Sequence, residues 1–143
     1  MHSSCGPTCQ QLQFSFVGLD EDVLSGCCSA GADGVMDGHF RLGLNVESAI
    51  EITSIAVYGA DATGTKNGYV WHSASSQYWV LGVRNNGTLL TPPYQPTLGQ
   101  FSGPVTLDLY ATDIGHFRSG NSVLVEVTVA GQAQPLTTLI QLP

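Results

Sequence analysis

Apolar and polar residues alternate with a period of two along most of this chain. Leu12, Phe14 and Phe16 share one side of a stretch whose other side carries Gln13 and Ser15, and Phe40, Leu42, Leu44 and Val46 repeat the pattern around Arg41 and Asn45. Successive side chains of a strand point to opposite faces, so each stretch predicts a strand with one buried face. Val105, Leu107 and Leu109 alternate in the same way with Thr106, Asp108 and Tyr110, and Val123, Val125, Val127 and Val129 with Leu124, Glu126 and Thr128. "EITSIAVYG", "GYVWHS", "YWVLGV", "GTLLT" and "PLTTLIQL" supply further strands, separated by turn chemistry such as "NNGT", "TPPYQP" and "VAGQ". No stretch carries a convincing helical period. The pattern predicts an all-β chain, an antiparallel β-sandwich of about eight or nine strands, with residues 12–143 as one domain behind an N-terminal cysteine-bearing tail over 1–11. Leu136 to Leu142 reads as the last strand of that sandwich, ahead of donation to a neighbouring subunit's open edge.

Composition narrows the partners. At 143 residues the chain can bury roughly 70% of the surface its unfolded form exposes, enough for one core. Four Lys and Arg stand against 11 Asp and Glu, a formal charge of −7, which argues against nucleic acid and anionic membranes and towards cations or neutral ligands. No apolar run approaches the roughly 20 residues that span a bilayer. Only 10% of residues are charged, so the surface is built mostly from neutral polar groups, which fits an extracellular protein better than an intracellular one.

Cys5, Cys9, Cys27 and Cys28 are the four cysteines, and they flank one predicted strand. They read as disulfides that tie the tail to the following loop, in an oxidising compartment, with connectivity open. A four-thiolate zinc site is the alternative, and the adjacent Cys27–Cys28 pair makes it awkward.

Strand alternation also gathers carboxylates. Successive antiparallel strands reverse direction, so alternate loops meet at one end, and the loops over 18–38, 59–68, 84–87 and 111–120 hold Asp20, Glu21, Asp22, Asp33, Asp37, Asp61 and Asp113, seven of the 11 acids. Such crowding is self-repelling unless a positive group sits among the carboxylates. Calcium accepts six to eight oxygens in tolerant geometry, and the glycines of "DGVMDG" let a loop turn several oxygens inward. The twelve-residue EF-hand spacing and the glycine-rich nonapeptide repeat are both missing. The competing reading makes these aspartates turn formers that cap their own loops. His39 directly follows the aspartate loop and reads as an exposed strand histidine, since calcium avoids nitrogen.

"DGHFRLGLNV", "ITSIAVYG", "YWVLGVRNNG" and "LDLYATDIGHFRSGNSVLVEV" resemble successive pieces of a C2-like, calcium-dependent β-sandwich module of bacterial secreted and cell-surface proteins, over about residues 33 to 129. That resemblance implies an extracellular, non-enzymatic module for attachment or spacing, with a Greek-key sandwich and calcium held by Asp20, Asp22, Asp33, Asp37 and Asp113. Its partners would be an extracellular glycan or protein surface, or copies of itself. The Cys27–Cys28 pair departs from the pattern.

Catalysis finds little footing. There is no G-x-S-x-G elbow, and neither His72 nor His116 has a nucleophile beside it in sequence. Tyr69, Trp71, Tyr78 and Trp79 fall in two adjacent predicted strands and offer rings on which sugars stack, which makes a carbohydrate-binding module one alternative function. A self-assembling extracellular subunit, locked by tail cysteines, is the other.

Overall fold

A computed structural model describes residues 10–21, 34, 36–75, 81–90, 98–112 and 117–143. Among the described residues eight strands follow one another: β1 (Gln10–Glu21), β2 (Asp37–Ala60), β3 (Lys66–Ser75), β4 (Leu81–Asn85), β5 (Thr88–Leu89), β6 (Gly99–Thr112), β7 (Ser122–Val129) and β8 (Leu136–Gln141). All strand pairs are antiparallel. Among the described residues no helix occurs, and the sheet curls into a half-barrel. The all-β antiparallel expectation is therefore met, whereas two separate packed sheets are not what the strand pairing draws.

The organising element is β2. The hydrophobic pattern divides it into two strands, but the structure runs it unbroken for 24 residues. Its first half lies between β1 and β6, with Phe16 opposite Phe40 and Phe40 opposite Leu109. Its second half lies between β3 and β7, with Val57 opposite both His72 and Val125. Outward from β6 come β4 and then β5, and outward from β7 comes β8.

Two irregularities let so long a strand keep its apolar face inward. Between Val46 and Ile50, β2 spends four steps against two on β6, an even surplus that preserves the in-out phase. Between Ile52 and Ser54 it spends two steps against one on β7, so one residue is extra and the phase slips. Phe40, Leu42, Leu44, Val46, Ile50 and Ile52 are buried on even numbers, and Ile55 and Val57 on odd ones. A β-bulge bends a strand and increases its twist while realigning its side chains. Thr53, within the bulge, donates from Oγ1 to the carbonyl of Thr128 at 3.2 Å.

Bending folds the two halves of β2 towards a shared interior. Phe40 stacks on Phe14 at 5.2 Å and meets Phe16 at 5.1 Å. Phe117, in the segment between β6 and β7, sets its edge on Phe40 at 5.3 Å and lies 5.9 Å from the ring of His72, which pairs with Val57. One ring thus contacts the first half of β2 and the strand that pairs with its second half. Its seat exists because residue 38 is glycine: a Cβ there would stand 2.7 Å from Cδ2 of Phe117.

β8 pairs with β7 from Ser122–Gln141 to Val127–Leu136, so the β-prone end of the chain closes on its own sheet. β1 begins at Gln10, taking two residues of the expected tail into the sheet.

Candidate functional site

The strand ends that carry the aspartate loops fall in one row. Asp37 opens β2, with Glu21 opposite on β1 and Thr112 opposite on β6. Asp37 is completely buried, which is costly for a carboxylate unless positive or hydrogen-bonding groups compensate it. Of the five predicted metal ligands, Asp20 and Asp37 are described; Asp22, Asp33 and Asp113 lie outside the described residues.

Asp20 is engaged by a partner that the sequence did not announce. Its Oδ1 lies 3.0 Å from Nδ1 of His39, while Nε2 of the same ring lies 2.8 Å from Oδ1 of Asp108. Arg41 brings Nε to that same Asp108 oxygen at 3.3 Å. The groups between these acids are side chains of β2, placed by strand register: Arg41 sits directly opposite Asp108, and His39 one same-face position further along.

His39 departs from the sequence expectation of an exposed residue. It is 4% exposed, and its ring stacks on Tyr110, the residue opposite, with centroids 4.6 Å apart and planes 20° apart. Arg84 completes the group, with its Nη1 donating to the Tyr110 hydroxyl at 3.1 Å and its guanidinium 5.1 Å from the ring centroid. These residues occupy the face of the sheet opposite to Phe40, Leu42, Leu107 and Leu109, yet Tyr110 is only 1% exposed. Burial works against the charge of Asp108, but the hydrogen bonds from His39 and Arg41 and their positive charge outweigh it and hold its carboxyl below the usual range.

Another acid of the predicted cluster has a local job. Oδ1 of Asp61 accepts from the Thr63 hydroxyl at 2.6 Å, the Thr63 amide at 2.9 Å and the Thr65 amide at 3.0 Å, closing the turn between β2 and β3. The Thr63 and Thr65 hydrogen bonds lower its pKa. It is an Asx-turn residue, as the turn-former reading has it. Across the sheet, Lys66 on β3 reaches Glu126 on β7 at 2.8 Å over the ring of Tyr58, and that hydrogen bond raises its pKa.

The predicted aromatic face is described in part. Tyr69 and Trp71 belong to β3, with Trp71 opposite Tyr58 on β2, while Tyr78 and Trp79 lie outside the described residues. Cys5, Cys9, Cys27 and Cys28 also lie outside them. Among the described residues no group of three or more His, Cys, Asp or Glu side chains is arranged to hold a metal ion.

Comparison with protein families, with curated proteins and with solved structures finds no match to this chain, so nothing there identifies a C2-like calcium module.

Proposed function

We propose that this chain is a non-enzymatic, extracellular or surface-displayed β-module of C2-like character, which binds calcium at one loop end and serves attachment or assembly. The observation that supports it is the row Glu21–Asp37–Thr112. Asp22 follows Glu21 directly, Asp113 follows Thr112 directly and Asp33 precedes Asp37 by four residues, so short tethers run from one hydrogen-bonded row to three more carboxylates. Calcium suits such a set because it takes carboxylate, carbonyl and water oxygens without strict geometry. Asp37 is the buried acid of this row. Asp20 has its Oδ1 engaged by His39 and brings at most its other oxygen. The paired state of Asp20, His39, Asp108 and Arg41 supports a structural use of the ionisable groups rather than a catalytic one.

The test is thermal unfolding of the oxidised protein in calcium, magnesium or chelator, beside a variant carrying Asp33→Asn and Asp37→Asn. Calcium at a hundredfold excess over its dissociation constant stabilises by about 2.7 kcal/mol, which for a domain of this size raises the midpoint by about 5–10 °C. The variant is expected to lose that response whatever its own midpoint. Equal midpoints in calcium and chelator sink the metal reading and leave the aspartates as turn formers.

A further inference from the structure

The outer face of the sheet carries a second feature, remote in composition from the acidic end. Two adjoining depressions of about 230 and 370 Å³ share Pro104, Val105 and Thr106 of β6. One extends over β2 to β1, the other to the β4–β5 turn, so together they cross four neighbouring strands, a span of about 14 Å.

The geometry points to a binding groove for a neutral oligosaccharide across this face. Its floor is set by Gly43, which lies in one lateral row with Gln13 on β1 and Thr106 on β6. Neither backbone nor packing calls for glycine there. Gly43 is absent from the residues with positive φ, and a Cβ would meet Gln13 at an ordinary 3.6 Å. A glycine inside a strand without such a cause marks a place where something else approaches the sheet.

The lining gives the chemistry. Gln13, Asn45, Asn86, Gln100 and Thr106 are exposed, and among the described residues their side chains make no hydrogen bond. An amide offers donor and acceptor side by side, which suits the hydroxyl pairs of a sugar, and Pro104, opposite Asn45, provides apolar surface for its C–H faces. None of the described lining residues is ionisable, so a charged ligand would meet no counter-charge. Of the charges on this face, Arg41 and Asp108 are bound to each other, and Glu51 on β2 stands opposite Gln100, an acid that disfavours anionic ligands. A peptide is the less suited occupant, because peptides add to sheets along a free edge by main-chain pairing, whereas this groove runs across the strands.

The experiment titrates oligosaccharides of β-1,4-glucose, α-1,4-glucose, β-1,4-mannose and β-1,4-N-acetylglucosamine, with anionic oligogalacturonate and an uncharged Gly-Ser-Asn peptide as controls. Side-chain amide resonances and calorimetry are the readouts. At least one neutral sugar is expected to shift the amide signals of Gln13 and Asn45, and Gly43→Leu, which fills the floor, to weaken it about tenfold or more. Asn45→Ala and Thr106→Ala, both exposed changes, should each weaken it even if Gly43→Leu unfolds the chain. Trp71→Ala and Trp79→Ala should leave it intact, which separates this groove from an aromatic platform. Binding lost only in the tryptophan variants, binding of the peptide or oligogalacturonate alone, or no binding by any neutral sugar at millimolar concentration overturns the inference. Calcium dependence of the midpoint is independent of all these outcomes, so the two readings fail separately.

Discussion

Replacing Gly38 by Ala tests how Phe117 is seated between the first half of β2 and β3. A methyl at that position would stand 2.7 Å and 2.8 Å from two carbons of the ring, against the roughly 3.5–4.0 Å of a relaxed carbon contact, so the ring must retreat by about 1 Å. It has little room, with Phe40 at 5.3 Å and His72 at 5.9 Å between ring centroids. Overpacking of this kind costs about 1–3 kcal/mol, and the lower chain entropy of Ala returns up to about 1 kcal/mol, leaving a net loss of about 1–2 kcal/mol. Phe117→Ala alone costs about 3–5 kcal/mol, since it empties a buried aromatic site. The decisive measurement is the double variant in urea-induced unfolding. With the ring gone, the added methyl enters vacated space, so the double variant is expected to be no less stable than Phe117→Ala, and the coupling to equal most of the Gly38→Ala loss. Additive losses, or a silent Gly38→Ala, would refute the contact that seats this ring.

Two further expectations concern pH. Asp108 has a folded pKa below 3.8, so its stabilising effect is present above the unfolded value and disappears as pH falls through the folded one. Asp108→Asn should therefore cost about 1–2 kcal/mol at neutral pH, and the gap to the parent should close below pH 4 in unfolding curves; a gap independent of pH refutes it. Lys66 has a folded pKa above 10.5, so its contribution holds below that value and is lost as pH rises through the folded pKa. Lys66→Met should flatten the alkaline loss of stability above pH 10.5, and an unchanged alkaline limb would show that Glu126 does not stabilise its charge.

How far the sequence carried differs between fold and site. The alternation around Leu42, Leu107 and Val125 located the strands because a period of two is a local property. The continuity of β2 was hidden by Glu47 and Ser48, polar residues that read as the end of one strand and the start of the next. The bulge left a trace, since Ile52 and Ile55 are three apart in a segment otherwise spaced by two, although a phase slip does not reveal which partner strand imposes it. His39 was misjudged because its environment is made by Asp108, 69 residues away, and by Tyr110 opposite it. Alternation correctly put His39 on the face opposite to Phe40, and that face is normally exposed. Gly43 carries no signal of its own in the sequence, because only lateral register brings Gln13 and Thr106 beside it. Asp61 is the contrary case. Its three hydrogen bonds go to residues two and four positions away, within the range that turn chemistry reaches.

A strand that pairs with four others also governs the order in which the molecule can assemble. β2 meets β1 and β3 from nearby sequence, but its second half waits for Val129 to close on Ile52, and its first half waits for β6. A ribosome releases the chain from the N-terminus, so this apolar ribbon leaves the exit tunnel well before the strands that cover it have been translated. Non-local pairing is slow, and unpaired edges associate with one another in the interval. The same residue pattern that gives the finished protein its spine therefore leaves the nascent chain open to association until β6 and β7 have been made.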